Sequence, residues 1–266
     1  MEDAEEAVRA LNERGIVATV DFLGENTRTE TEARDCAANY LRLLDHIQNA
    51  SLDSNVSLKL TQLGLDMGDE LAQQNLERIL NRAQEYGQFV RIDMEGSAYT
   101  ERTINLFYRL WPQHTNVGVV IQSYLRRSAA DIERLIDDQV RVRLVKGAYK
   151  EPAEVAFQRK KEVDDSFVEL MQHLMTGGNY PAIATHDERL IAEAIQFASA
   201  RSIPSDRYEF QMLYGIRRER QLSLVAQGHR MRVYVPFGTH WYPYMMRRLA
   251  ERPANLWFVL KNLLRR

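Results

Sequence analysis

The sequence predicts an α/β protein of the (β/α)8 barrel class, and three observations support this. Eight short β-rich runs recur along the 266 residues, and longer amphipathic helical patterns lie between them. Strict alternation of strands with crossover helices implies a parallel sheet, and eight such units close into a barrel. An open doubly wound sheet is the alternative, but no G-x-G-x-x-G motif follows an early strand.

The predicted strands are short and regularly spaced. Several of them end in glycine just before the next helix, which suits a tight turn from strand to helix. Helical segments such as "DELAQQNLERILNRAQEYG" have apolar residues three and four apart. The first 14 residues predict an extra helix that covers the barrel bottom, and residues 1–266 are expected to form one domain. The strands are predicted at 16–24, 56–64, 89–96, 117–125, 140–147, 180–186, 208–215 and 231–238.

Composition excludes several classes of function. Lys and Arg number 35 against 37 Asp and Glu, so the chain lacks the basic surplus that nucleic-acid binding requires. The single cysteine, Cys36, excludes an intramolecular disulfide, and the histidines show no metal-ligand spacing. No apolar run approaches the ~20 residues of a membrane span, and the acidic start does not resemble a signal peptide. We therefore expect a soluble, cytoplasmic protein without a metal.

Side-chain alternation along the strands predicts a polar barrel interior. One face of each strand is consistently apolar, as expected where helices pack against it. The opposite face carries polar residues near the strand ends, where barrel enzymes hold their active sites. A salt-bridge network of Lys59, Asp93 and Arg143 that only fills the barrel is the structural alternative. Six polar residues from six strands favour a functional site: Lys59, Asp93, Gln122, Arg143, Gln211 and Tyr234.

The segment "YVPFGTHWYPYMMRR", residues 234–248, predicts an anion site beside aromatic rings. On a helix that begins near Trp241, Tyr244 shares a face with both Arg247 and Arg248. Two adjacent guanidinium groups are suited to bidentate binding of a carboxylate or phosphate. Tyr234 and Tyr244 would then pack against the apolar body of a small carboxylate. The alternative, that the two arginines are solvated surface charges, stays open at this point.

Three further segments suggest contacts with phosphate. "KGAYKEP" follows the fifth predicted strand, and basic residues recur in "RKK" at 159–161. "ATHDE" at 184–188 joins a strand end to a helix N-terminus, a position that favours anions. Each of these signals is weak when it is taken alone.

Ordered motifs along the chain closely resemble the proline dehydrogenase family, in the form that bacteria carry as a separate enzyme. The motifs are "SLKLTQLG", "VRIDMEG", "RLVKGAY", "PAIATHDE", "YEFQMLYG" and "RVYVPFGTHWYPYMMRRLAERPAN". The resemblance implies a distorted barrel that binds FAD without a Rossmann motif. It also implies hydride transfer from C5 of L-proline to flavin N5, which yields Δ1-pyrroline-5-carboxylate in the first step of proline catabolism to glutamate. Electrons would then pass to a membrane quinone, so peripheral contact with the inner face of the cell membrane is expected.

The resemblance also implies roles for individual residues. Asp93 and Arg143 would be the catalytic pair, with Arg143 stabilising charge on the reduced flavin. Proline would be held at its carboxylate by Lys59, Arg247 and Arg248 and at its ring by Leu213, Tyr234 and Tyr244. Arg143 and Gln122 would contact the isoalloxazine. The rest of the FAD would be lined by Met94, Lys146, Gly147, Ala148, Lys160, Thr185 and His186.

Two other functions remain in competition. A Schiff-base aldolase on the same barrel would use Lys59 or Lys146 as its nucleophile, although Lys146 falls on the helix-facing side of its strand. A non-catalytic barrel that binds a carboxylate would not need the flavin contacts, and it would be colourless.

Overall fold

The computed structural model of the protein describes residues 2–24 and 27–238. In this part of the chain, eight parallel strands close into a barrel in sequence order, and β8 pairs with β1. The strands are Val17–Phe22 (β1), Ser54–Leu58 (β2), Val90–Ile92 (β3), Val117–Gln122 (β4), Val142–Val145 (β5), Ala182–Ala184 (β6), Glu209–Leu213 (β7) and Met231–Phe237 (β8). The closed parallel barrel confirms the fold class and excludes the open doubly wound sheet.

Helices connect successive strands on the outside of the barrel. The described helices are Glu2–Asn12 (α1), Glu30–Asn49 (α2), Asp69–Glu85 (α3), Ser97–Leu110 (α4), Ser128–Asp137 (α5), Lys160–Gly177 (α6), Glu188–Ala200 (α7) and Arg218–Ala226 (α8). One such helix follows each of β1 to β7. The segment predicted as the helix after β8 lies outside the described residues.

The additional helix α1 lies at the N-terminal end of the barrel, as predicted. It contacts β1 and β8. The side chain of Asn12, the last residue of α1, donates to the carbonyl oxygen of Ile16 at 3.0 Å and accepts from the amide of Asp53 at 2.9 Å. These two bonds tie the end of α1 to the residues that precede β1 and β2.

The second strand is shorter than predicted. The run expected as a strand over 56–64 leaves the sheet after Leu58, and Leu60–Leu63 form a 3-10 helix. Gly64 ends this helix with φ of 98°, and a Cβ at Gly64 would lie 2.7 Å from the Leu71 side chain. Only glycine meets both constraints without strain. The early end of β2 leaves Lys59 at the barrel mouth.

The two faces of the strands differ as the alternation predicts. Residues that face the helices are apolar and buried, such as Leu58, Ile92, Leu144 and Val233. The barrel interior is polar even at its lower end, where Arg232 Nε donates to Glu209 Oε1 at 2.8 Å. An ordinary barrel interior is layered with aliphatic side chains. Here paired polar groups fill it, because a buried charge is tolerated only with a partner.

Candidate active site

Five of the six interior residues predicted from sequence meet in one hydrogen-bonded network. Arg143 on β5 spans the barrel: its Nη1 lies 2.7 Å from Asp93 Oδ1, and its Nε donates to Gln211 Oε1 at 2.6 Å. The hydroxyl of Tyr234 on β8 lies 2.8 Å from Asp93 Oδ2. Lys59 Nζ lies 3.7 Å from the same carboxylate oxygen. Asp93 therefore joins side chains from β2, β5 and β8.

Asp21 on β1 belongs to this network, although it was not singled out from the sequence. Its Oδ2 lies 3.1 Å from Lys59 Nζ and 2.6 Å from the Tyr234 hydroxyl. The Asp21 side chain is completely buried. A signal was present, since Asp21 in "VATVDF" has the interior parity of Thr19 and the opposite parity to Val20. Ser57, which donates to Asp93 Oδ1 at 2.8 Å, was missed in the same way.

Asp93 and Lys59 are held in their ionised forms. Burial disfavours the charged carboxylate of Asp93, but the cations of Arg143 and Lys59 outweigh it and lower the pKa of Asp93. Burial likewise opposes the charged ammonium of Lys59, but the carboxylates of Asp21 and Asp93 raise the pKa of Lys59 well above its ordinary value. Lys59 is therefore a permanent cation at the barrel mouth. A cation there can attract a carboxylate ligand.

Two buried atoms beside the network have no hydrogen-bond partner among the described residues. They are Nη2 of Arg143 and Oε1 of Gln122. The amide nitrogen of Gln122 reaches only the carbonyl oxygen of Met94, at 3.4 Å. Leaving such atoms unpaired costs about 1–3 kcal/mol each, more where the group is charged. The structure thus contains the filling network that the structural alternative expects, and two polar atoms that favour a bound group beside it.

Gly147 brings the chain after β5 close to an aromatic ring. Its φ is 116°, and an added Cβ would lie 2.3 to 2.6 Å from ring atoms of Tyr124. No side chain fits at this position without movement of the backbone or the ring. The next residue, Ala148, is partly buried.

The predicted phosphate cluster is more strongly paired than its sequence suggests. Lys146 Nζ lies 2.6 Å from Asp164 Oδ1 and 2.8 Å from Asp187 Oδ2, and Lys160 also contacts Asp164. Asp187 caps the N-terminus of α7 by accepting from the amide of Arg189 at 3.1 Å. Burial opposes ionisation of Asp164, but its bonds to Lys146 and Lys160 lower its pKa to about 2. A phosphate bound here would share these cations with two carboxylates.

His186 and Thr185 lie between β6 and α7, beside the end of β7. Nε2 of His186 accepts from the amide of Leu213 at 2.9 Å, so in the neutral ring the proton resides on Nδ1. The hydroxyl of Thr185 accepts from the amide of Asp187 at 3.1 Å. These bonds fix the orientation of both side chains and place Leu213 next to His186. Three other predicted substrate residues, Tyr244, Arg247 and Arg248, lie outside the described residues.

Glu95 is a further buried acid that sequence reasoning missed. Its Oε1 accepts from the hydroxyl of Thr61 at 2.6 Å, in the 3-10 helix after β2. The contact links the segments that follow β2 and β3, two residues beyond Lys59 and two residues beyond Asp93.

This chain is similar to known proteins of one enzyme family. The sequence model described as "Proline dehydrogenase" matches residues 4–261 of this chain. Proline dehydrogenase 1 of Bacillus subtilis is 46% identical over 266 residues, which cover all of this chain and 88% of the relative. Proline dehydrogenase of Deinococcus radiodurans is 40% identical over 270 residues, which cover all of this chain and 87% of that protein.

A solved structure supports the same relationship. Proline utilization A from Bdellovibrio bacteriovorus, inactivated by N-propargylglycine, superposes with a TM-score of 0.87 at 28% identity. The match covers 93% of this chain but only 31% of that longer protein, so this chain corresponds to one part of it.

Proposed function

Since this chain belongs to the proline dehydrogenase family and is an oxidoreductase of the first step of proline catabolism, we propose that it converts L-proline to Δ1-pyrroline-5-carboxylate with bound FAD. The observation that carries the proposal is the polar network at the barrel mouth. It combines a permanent cation, Lys59, with a buried guanidinium, Arg143, that retains an unused donor. These two groups suit a carboxylate substrate and a polar cofactor ring.

In this proposal Lys59 binds the proline carboxylate together with Arg247 and Arg248. Tyr234, Tyr244 and Leu213 pack against the pyrrolidine ring. Binding at both ends of a small molecule fixes its orientation, and orientation is a large part of catalysis. Arginine is suited to binding a carboxylate because its planar guanidinium group can form two parallel hydrogen bonds.

The residues present fit an isoalloxazine ring. One edge of that ring carries an N–H donor between two carbonyl acceptors, so it can satisfy both the Gln122 Oε1 acceptor and the Arg143 Nη2 donor. Bound FAD would supply a hydride acceptor for the substrate carbon. The remaining contacts that we propose for FAD are Met94, Lys146, Gly147, Ala148, Lys160, Thr185 and His186. Among these positions, residue 147 has a physical reason to be glycine, since a side chain there would collide with Tyr124.

Asp93 and Arg143 are the proposed catalytic pair. Asp93 and Gln211 hold the guanidinium of Arg143 from two sides, which keeps its positive charge in a fixed orientation. A preorganised cation stabilises negative charge that develops nearby and needs no rearrangement at the moment of reaction. Asp93 also contacts the hydroxyl of Tyr234. The carboxylate of Asp93 therefore orients Arg143 on the cofactor side and Tyr234 on the substrate side.

The competing functions fit the site less well. A Schiff-base nucleophile must lose its proton, and the two carboxylates beside Lys59 raise the pKa of Lys59 instead. The ammonium of Lys146 is already in contact with the carboxylates of Asp164 and Asp187. A simple carboxylate-binding barrel would give Arg143 Nη2 and Gln122 Oε1 no bound group to pair with.

We further propose that electrons leave the enzyme for a membrane quinone during peripheral contact of a cytoplasmic enzyme with the inner face of the membrane. Family membership supports this part of the proposal. None of the helices in the described part of the chain combines the length and apolar character needed to cross a bilayer. Quinone reduction with and without lipid vesicles tests the idea, and a rate that ignores both quinone and vesicles would contradict it.

The visible spectrum of the purified protein under anaerobic conditions tests the central proposal. Flavin bands should be present and should bleach on addition of L-proline but not of L-alanine. A yellow protein that proline does not bleach would support the proposed cofactor and contradict proline as the substrate. A protein that stays colourless and inactive when FAD is supplied would favour a carboxylate-binding barrel.

A further inference from the structure

We infer that Asp21 is the positioning residue of the substrate site, fixing Lys59 and Tyr234 in the places from which they contact the substrate. The inference rests on the proposed function, because it takes Lys59 and Tyr234 as substrate contacts. Asp21 would not touch the substrate itself. It would act through the two side chains that do.

The sheet register places Asp21 between the strands of Lys59 and Tyr234. Asp21 pairs with Ser57 on β2 and with Pro236 on β8. Lys59 lies two residues beyond Ser57, and Tyr234 lies two residues before Pro236. Asp21 therefore occupies the strand between the two that carry the substrate contacts. From this position one carboxylate oxygen, Oδ2, reaches both Lys59 Nζ at 3.1 Å and the Tyr234 hydroxyl at 2.6 Å.

The side chain of Lys59 needs a partner that fixes its position. Its backbone is fixed, because its amide donates to Gln62 Oε1 at 2.9 Å, but its side chain has a flexible four-carbon stem. Two carboxylates compete for the ammonium, and Asp21 at 3.1 Å is nearer than Asp93 at 3.7 Å. Without Asp21, the ammonium would move onto Asp93, which already accepts from Arg143. Asp21 thus keeps the cation of the substrate side apart from that of the cofactor side.

The Tyr234 hydroxyl contacts more carboxylates than it has protons to donate. The Tyr234 hydroxyl lies within hydrogen-bond distance of Asp21 Oδ2 and of Asp93 Oδ2, but a phenol has one proton to donate. It cannot donate to both carboxylates at once, so cations must offset the repulsion between them. Lys59 lies near both carboxylates, and Arg143 lies against Asp93. Lys59, Tyr234 and the two aspartates therefore form one unit in which each member depends on the others.

Replacement of Asp21 by Asn separates positioning from simple charge, because the two predict opposite changes. Loss of a negative charge near the site would by itself strengthen attraction for an anionic substrate and lower the KM for proline. Loss of positioning would release Lys59 and raise the KM. We expect positioning to dominate, with a rise of about tenfold in KM, the size of one hydrogen bond to a charged group.

The experiment compares wild-type protein, Asp21→Asn and the control Tyr40→Phe. The Tyr40 hydroxyl lies 3.3 Å from the other carboxylate oxygen, Oδ1, and 3.1 Å from Gln62 Oε1. Its loss leaves both Oδ2 contacts and the bond from the Lys59 amide to Gln62 Oε1 in place, and should leave the KM unchanged. Steady-state kinetics give KM and kcat separately. Calorimetric titration with (S)-tetrahydrofuran-2-carboxylate, which lacks the amine that is oxidised, measures binding without turnover. We expect weaker binding and a larger change in KM than in kcat for Asp21→Asn only.

An unchanged or lower KM in Asp21→Asn, in protein that keeps its flavin, would overturn the inference. If Asp21→Asn does not fold, Asp21→Glu keeps the charge and changes only the geometry, so an unaltered KM there would overturn it equally. The effect of Asp21→Asn should also shrink in a Lys59→Met background, because only the contact with Tyr234 is then left to lose, and full persistence there would contradict action through Lys59. Failure of wild-type protein to oxidise proline would instead refute the proposed function.

Discussion

Arg143 and Asp93 form a buried ion pair across the barrel, with Nη1 and Oδ1 2.7 Å apart. The side chains are 6% and 14% exposed, so solvent screens their interaction little. Neither residue is adjacent to the other in the sheet, since one lies on β5 and the other follows β3. The pair therefore connects two strands that β4 separates in the sheet.

Replacement of Arg143 by Met should slow reduction of the flavin by proline and also destabilise the fold. The variant leaves Asp93 buried without its main cation, which typically costs about 3–5 kcal/mol. Stopped-flow reduction measures the first effect and urea unfolding the second. Arg141→Met is the matched control, because Arg141 is an exposed arginine two residues earlier. Wild-type reduction kinetics in Arg143→Met would contradict its catalytic role.

The ionised state of Asp93 should make stability depend on acid pH. Its pKa is lower in the folded protein than in the unfolded chain, so its ionisation stabilises the fold above the unfolded pKa. That contribution is lost as the pH falls from about 4 through the folded pKa. The difference in unfolding free energy between wild type and Asp93→Asn should be constant near neutral pH and shrink below pH ~4. A difference that stays constant down to acid denaturation would show that Asp93 is not ionised there.

Substitution of Gly147 by Ala should reduce retention of FAD. The new Cβ would lie within 2.6 Å of the Tyr124 ring at a φ of 116°, so the chain after β5 must move. Gly87→Ala is the control: Gly87 also has positive φ, 64°, but a Cβ there meets nothing within 4 Å. Both variants should lose about 1 kcal/mol or more to backbone strain. Flavin content per protein should fall only in Gly147→Ala, and equal retention would remove Gly147 from the cofactor site.

Replacement of Arg247 by Met should raise the KM for proline strongly and leave the flavin bound. This prediction comes from sequence alone, because Arg247 lies outside the described residues. It follows from the family resemblance, which implies that Arg247 binds the proline carboxylate, and it agrees with the suitability of arginine for binding carboxylates. Steady-state kinetics with proline measure the KM and the visible spectrum measures bound flavin, and an unchanged KM would remove Arg247 from the carboxylate site.

Much of the site was predictable because strand alternation has a period of two. That period separates Lys59, Asp93 and Arg143 from their apolar neighbours without any knowledge of the fold. The same period assigns Asp21 to the interior face together with Thr19, although Asp21 was not singled out from the sequence. Sequence reasoning also placed a strand over 60–63, where the chain instead forms a 3-10 helix. Residue type and alternation do not reveal where a strand leaves its sheet.

The sequence by itself determined the barrel, the polar interior and the family, because alternation and ordered motifs are local properties of the chain. Only the tertiary structure decided which charges meet. Barrel closure brings β8 beside β1, and so places Tyr234 against Asp21 although 213 residues separate them. It likewise gives Lys146 two carboxylate partners from α6 and from the start of α7. Parity assigns a side chain to a face, whereas register and closure determine the distances across the barrel, and electrostatic pairing depends on those distances.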